Sequence, residues 1–203
     1  MQNTITAALL TSLIFAGIAS AAPVSYIEQG TYTGTFGGTT FTNALVTFIF
    51  TGDTANIVNV APGEYYNVAG LTTVSVAGIA GTGTFPNSVG PYITQSVRYG
   101  LISDLTAYLA IAFVQSNALG SYALDTSLAS VSGPSFVANI GHPFATTLGA
   151  LTLNSTAGNG TFSAVVSSAT PEPFSGALAG TGLAIICAYR RRAALAGATS
   201  SRK

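Results

Sequence analysis

The sequence predicts an all-β fold. Runs of Thr, Val, Ile, Phe and Tyr alternate with small or polar residues, Gly, Pro and Asn punctuate them, and 23 of the 203 residues are glycine. No long helical spacing of apolar groups interrupts the body of the chain. The architecture this favours is a single antiparallel sandwich or jelly-roll-like domain.

The elements follow in order. Thr31-Tyr32-Thr33-Gly34-Thr35-Phe36 sets Thr against larger groups, Gly37-Gly38 supplies a turn, and a Thr- and Phe-rich run follows from Phe41 to Thr51, so a hairpin is expected. Within it, Ala44 to Phe50 is apolar at both parities, which predicts a central strand covered on both faces, ended by Gly52-Asp53. Leu71 to Ala77 alternates, with Val74 and Val76 on one face. Ser103 to Val114 reads two ways: Leu105, Tyr108, Leu109 and Ala112 fall at helical spacing behind Asp104, while Tyr108 to Val114 suits a buried strand. A short helix or turn at Asp104 followed by a strand is the preferred form. Leu148 to Asn154 is expected to pair with Thr161 to Ser167 through Gly158-Asn159-Gly160. Gly-Thr-Phe recurs at Gly34, Gly83 and Gly160, at intervals too unequal for a solenoid or propeller.

Charge is scarce, at 6% of residues, and unevenly placed. Arg190, Arg191, Arg192, Arg202 and Lys203 lie at the C-terminal end, whereas Glu28, Asp53, Glu64, Asp104, Asp125 and Glu172 all precede them. The body therefore has Arg98 as its only strong base, which excludes nucleic-acid binding by a basic surface. Solubility has to come from Thr, Ser, Asn and Gly. A body of roughly 150 residues suits one hydrophobic core, and with Cys187 the only cysteine no disulfide within the chain supports it.

Both ends carry export features. Ile5 to Ala19 is apolar and small, and Ala19-Ser20-Ala21 has the small-x-small form of a signal-peptidase site, with cleavage expected after Ala21. Near the other end, Thr170-Pro171-Glu172-Pro173 precedes an uncharged apolar span from Phe174 to Tyr189, stopped by Arg190, Arg191 and Arg192. The two prolines fix their own φ and push the residues before them out of the helical region, so an extended peptide is expected ahead of a helix. The span is shorter than the roughly 20 residues that cross a bilayer comfortably, and snorkelling arginines make up part of the difference. The cluster is expected on the cytoplasmic side, with the body outside.

This order of Pro-Glu-Pro, one hydrophobic span and an arginine cluster resembles the PEP-CTERM sorting signal of bacterial proteins processed by exosortase. The resemblance implies signal peptidase and an exosortase-type enzyme as partners. It also implies transient anchoring in the inner membrane and a final place at the cell surface or in the extracellular matrix. The expected organisation is a signal peptide over 1–21, a β domain over 22–169, the sorting signal over 170–195 and a polar tail over 196–203.

Within the body, chemistry is sparse. His142 is the only histidine, so a His-based metal cluster is impossible, and no nucleophile elbow, phosphate loop or dinucleotide fingerprint occurs. His142 reads as a turn residue in Gly141-His142-Pro143 or as a general base with one acid. Asp53, Glu64, Asp104 and Asp125 form the pool for two-carboxylate glycoside chemistry, against ordinary local roles for Asp53 in a turn, Asp104 as a cap and Asp125 in a polar loop. Tyr65, Tyr66, Tyr92 and Tyr99 are candidates for stacking on sugar rings along an exposed sheet face, against the ordinary alternative of pairing across strands. No cofactor is expected. The favoured function is a non-enzymatic envelope or exopolysaccharide-matrix protein. The alternative is a carbohydrate-binding module or carbohydrate-active enzyme delivered by the same route, with extracellular polysaccharide as the partner.

Replacing Pro171, Glu172 and Pro173 together is expected to leave a full-length, membrane-bound precursor, because the apolar span and Arg190 to Arg192 remain while the extended recognition peptide is lost. Immunoblotting of membrane and extracellular fractions from the native cell checks this. Wild-type protein that keeps Arg190 to Lys203 and stays integral to the membrane would point to a simple anchor instead.

Overall fold

Strand β1, Pro23–Phe36, runs the length of the domain, and its inward side chains alternate strictly with outward ones from Val24 to Phe36. It turns through Gly37 and Gly38, both at positive φ, into β2, Thr39–Asp53, with Phe36 opposite Thr39. A tight turn of this kind needs residues without a Cβ penalty at positive φ, and the expected hairpin is present. The computed structural model describes residues 21–86 and 89–168. Among these the remaining strands are β3 (Ile57–Ala61), β4 (Glu64–Asn67), β5 (Gly70–Val76), β6 (Gly83–Thr84), β7 (Val89–Thr94), β8 (Tyr99–Asp104), β9 (Leu109–Gln115), β10 (Leu128–Val137), β11 (Pro143–Phe144), β12 (Leu151–Thr156) and β13 (Asn159–Val166).

All the pairings are antiparallel, and the strands form one sheet in the order β3-β4-β7-β8-β9-β10-β13-β1-β2-β5-β6, with β12 on β1 and β11 on β12. The all-β expectation holds. The sheet curls into a half-barrel, so that β1, β2 and β5 face β7, β8 and β9 across a shared interior. One core cluster joins Tyr32, Phe48 and Val74 to Ile102 and Ile111; the other joins Tyr26, Phe50 and Phe162 to Ile93, Val114 and Leu119. Burying an aromatic or aliphatic side chain of this size contributes roughly 1.5–3 kcal/mol. Among the described residues no helix is long and apolar enough to cross a membrane. The expected signal and transmembrane helices lie outside the described residues.

Two expectations need correction, and a third resolves between its alternatives. The segment Gly158-Asn159-Gly160 does not turn β12 back onto β13. Both strands lie along the same edge of β1, with Tyr32 opposite Thr156 and Gln29 opposite Thr161, so four residues of one chain face two of the other. The Ala157 N–H still reaches the Thr31 carbonyl at 2.8 Å, and Gly158 at φ 77° absorbs the excess. The result is a wide bulge in one long run. Second, β2 is central in hydrogen bonding but covered on one face only: Val46, Phe48 and Phe50 are buried while Leu45 is exposed. At Asp104, of the helix or turn expected there, the structure has the turn. The Asp104 Oδ1 accepts from the Thr106 N–H at 2.9 Å and the Ala107 N–H at 3.1 Å, and β9 follows, as the preferred reading has it.

A double irregularity bends β1 at Thr33–Gly34. On one edge Thr42 and Asn43 bulge opposite Thr33, with Asn43 at φ 49° and its N–H on the Thr33 hydroxyl at 3.1 Å. On the other edge the register with β12 slips between Thr33 and Gly34. Any Cβ at position 34 would sit 1.9 Å from the Thr152 carbonyl oxygen, so only glycine allows β12 to approach there.

Glu28 sits on the inward face of β1 between the two clusters and is fully buried, with neither carboxylate oxygen in hydrogen-bond geometry. Burial pushes its carboxyl well above the ordinary 4.5, and the Ile102 main-chain amide offsets part of the rise. Among the described residues the Tyr32 hydroxyl also finds no partner in hydrogen-bond geometry; burial first and Glu28 second push it up, and the Ser135 side chain offsets part of the rise. A neutral carboxylic acid is the form this interior tolerates.

The sign for stability follows. Below the unfolded value of 4.5 both states hold the Glu28 proton; above it only the folded state does, so stability falls by roughly 1.4 kcal/mol per pH unit until the folded pKa is reached. Thermal melts are expected to show a midpoint that drops as pH rises above the ordinary carboxyl value of 4.5, and Glu28→Gln is expected to flatten that slope. An equally steep fall in the variant would assign it to another group.

Candidate functional site

The outer face of the second half of the sheet carries a row of large side chains fixed by strand register. Val58 lies opposite Tyr66, Tyr66 opposite Tyr92, Tyr92 opposite Leu101, Leu101 opposite Phe113 and Phe113 opposite Phe136. Residues of the other parity, Ile93, Ile102, Ala112 and Val114, point into the core, which is why this set faces outward. Tyr66 and Tyr92 stack at 4.1 Å and 6° between rings. Phe113 packs against Tyr99 at 4.5 Å on one side and Phe136 at 4.8 Å on the other. Burial pushes both stacked tyrosines above the ordinary phenol value. Leu101 is covered between the two aromatic groups, while Phe136 and Val58 stay exposed.

The four sequence candidates are thus divided. Tyr66, Tyr92 and Tyr99 belong to the outer face. Tyr65 does not: it shares the parity of Ile93, lies opposite it, and packs against the second core cluster. Adjacent residues of one strand point to opposite faces, so Tyr65 and Tyr66 cannot both serve one platform. Phe113 and Phe136 were missed in sequence. Reading the Asp104 turn as a hairpin places Leu101 against Phe113 and identifies the first of them; Phe136 arrives through β10, which returns onto β9 only after the long connection over residues 116–127.

At the end of this row opens a pocket of about 430 Å3 lined by Arg98, Gln115, Ser116, Asn117, Ser132 and Pro134. The β7–β8 turn delivers Arg98, with its N–H on the Gln95 carbonyl at 3.2 Å and its own carbonyl accepting the Ser116 N–H at 3.0 Å. Its Nη1 donates to the Asn117 Oδ1 at 2.7 Å. Gly133 lets β10 pass, since a Cβ there would lie 1.7 Å from the Gln115 carbonyl oxygen.

A second pocket, about 170 Å3, is lined by His142 and Asp104 together with Phe85, Val89 and Phe144. The structure therefore brings the only histidine to the same rim as one of the pooled acids. The His142 ring meets Phe144 edge-on at 4.7 Å and is otherwise exposed. Asp53 caps a short turn through the Ala55 N–H at 2.7 Å, Glu64 begins β4, and Asp125 lies exposed in a loop, so these three sit on separate elements. Among the described residues no group of three or more metal-ligating side chains gathers.

Ala21 is exposed, and Ala22 is already tied to the domain through Thr54, its N–H on the hydroxyl at 3.0 Å. Ala19, the Pro171-Glu172-Pro173 motif, Arg190, Arg191 and Arg192 lie outside the described residues. No protein-family model, curated protein or solved structure matches the chain.

Asp104→Ala is expected to destabilise the domain by about 1–2 kcal/mol, because the Thr106 and Ala107 amides lose their acceptor at a tight turn. Asp104→Asn keeps a carbonyl acceptor and is expected to retain most of that stability. Urea unfolding of both variants checks the order.

Proposed function

We propose that the chain is a non-enzymatic component of a bacterial envelope or exopolysaccharide matrix, and that it meets polysaccharide through the outer face of β4, β7, β8, β9 and β10. The export features at the two chain ends supply the compartment in this reading. The observation that carries the contact is the row of rings from Tyr66 to Phe136 ending at a polar pocket. A sugar ring presents an apolar C–H face and a rim of hydroxyls. Flat aromatic side chains accept the first, and amide, hydroxyl and guanidinium groups accept the second. The curled antiparallel sheet suits such a role as a scaffold, with β10 joining its two halves by pairing with β13 and with β9.

A carbohydrate-active enzyme on the same route is the second reading, and the shared rim of His142 and Asp104 favours it. Two facts weigh against it. The Asp104 Oδ1 is already held by Thr106 and Ala107, and a 170 Å3 pocket falls below the roughly 300 Å3 at which ligand sites begin.

Affinity electrophoresis through gels cast with extracellular polysaccharide, paired with a hydrolase screen, separates the two. Retardation without turnover is expected, with Tyr92→Ala and Phe113→Ala each weakening retention about three- to ten-fold while circular dichroism stays unchanged. Wild-type mobility that ignores every polysaccharide would overturn the contact. Turnover abolished by His142→Ala would establish the enzyme.

A further inference from the structure

We infer that the Arg98 pocket is an anion subsite, and that the polysaccharide lying on the aromatic row is acidic, with a sugar carboxylate seated against the Arg98 guanidinium. This rests on the polysaccharide reading above and narrows it to uronate-type polymers.

Four observations carry the inference. Arg98 is the only lysine or arginine between residues 22 and 169, so the one strong positive charge of the domain stands in this pocket. None of the lining residues is acidic. The side chain of Arg98 also runs past Gly120, where an added Cβ would meet its Cγ at 3.6 Å, and Nη1 donates to the Asn117 Oδ1 at 2.7 Å. Five N–H donors in a planar fork suit a carboxylate, and the side chain of Asn117 takes one of them. Finally, Arg98 adopts φ 62°, a left-handed conformation that glycine or asparagine would take more readily. The fold thus keeps a charged, strained residue at a turn where a cheaper one would fit.

The position matches a polymer already resting on the rings. Gln115 lies opposite Tyr99, and Pro134 precedes Phe136 by two residues on the same face. Two residues along a strand span about 6.8 Å, the scale of one sugar ring. A ring stacked on Tyr99 and Phe113 therefore places its neighbour at the pocket, which Gln115, Ser116 and Ser132 line together with Arg98.

The test uses the full chain with polygalacturonate, the same polymer after reduction of its carboxyl groups, and a sulfated glycan. Arg190, Arg191, Arg192, Arg202 and Lys203 also attract polyanions, so the decisive quantity is the difference between wild type and Arg98→Gln. Wild type is expected to bind polygalacturonate roughly ten-fold more tightly than the reduced polymer, with that preference weakened by salt. Arg98→Gln is expected to lose the preference while still binding the reduced polymer, and Arg98→Lys to keep part of it. Ser132→Ala, on another strand, is expected to weaken carboxylate binding without touching Arg98 and guards against a folding defect. Equal binding to carboxylated and reduced polymers, or a preference that survives Arg98→Gln, overturns the anion subsite and leaves the polysaccharide reading standing. Tighter binding to the sulfated glycan overturns the uronate assignment. Binding to none of the polymers removes the polysaccharide reading itself.

Discussion

Strand β1 is paired on both edges along nearly its whole length, to β2 on one side and to β13 and then β12 on the other. Everything else in the domain is arranged around that demand. A straight strand with two full edges would hold its neighbours in a gently twisted plane, and such a plane encloses nothing. The bulge at Thr42–Asn43 and the slip beside Gly34 fall at one level of β1, so the sheet bends there on both sides together. The wide bulge at residues 157–160 bends it again at Gly30 and Thr31. At that second bend Gly30 leaves room for the Tyr32 ring, which would come within 2.6 Å of any Cβ. The curl that creates an interior is thus written into a few residues of one strand, and Glu28 lies at its middle.

What was legible in the sequence was local. Gly37-Gly38 announces the first hairpin, the alternation around Val74 and Val76 announces β5, and Asp104 announces its turn, because each depends on residues a few positions apart. The failures share the opposite property. Gly158-Asn159-Gly160 has the composition of a hairpin turn, yet whether such a segment reverses the chain or relieves a register mismatch depends on a partner more than a hundred residues away. Apolar residues at both parities of β2 promised two covered faces, but among the described residues nothing covers Leu45. Tyr65 and Tyr66 looked equivalent as side chains, and only the pairing of β4 with β7 shows which faces out.

The interior and the exterior use aromatic groups differently. Inside, Tyr26 anchors its hydroxyl on the Leu124 carbonyl at 2.5 Å and packs its ring on Phe50 and Phe162, so its polar end is satisfied and its apolar body is buried. Outside, Tyr66, Tyr92, Tyr99 and Phe113 cover one another and Leu101, which leaves them half-buried without a second layer. Mutual stacking stabilises such a face in water and keeps it flat. With so few charges on the domain, this row and the single guanidinium beside it are its most distinctive surface chemistry.

The place of β1 in the chain has a kinetic side. It is the first strand, and the strands that complete its second edge are the last two, so Thr31 and Thr156 meet across 125 residues of sequence. Contacts of that separation form late, after the loop-closure entropy of the whole chain has been overcome. A chain that emerges N-terminus first, from a ribosome or through a translocation channel, therefore presents β1 with one edge open until Val166 is out. Closure of that edge waits for β13. A domain built this way cannot lock β1 before β13 has arrived.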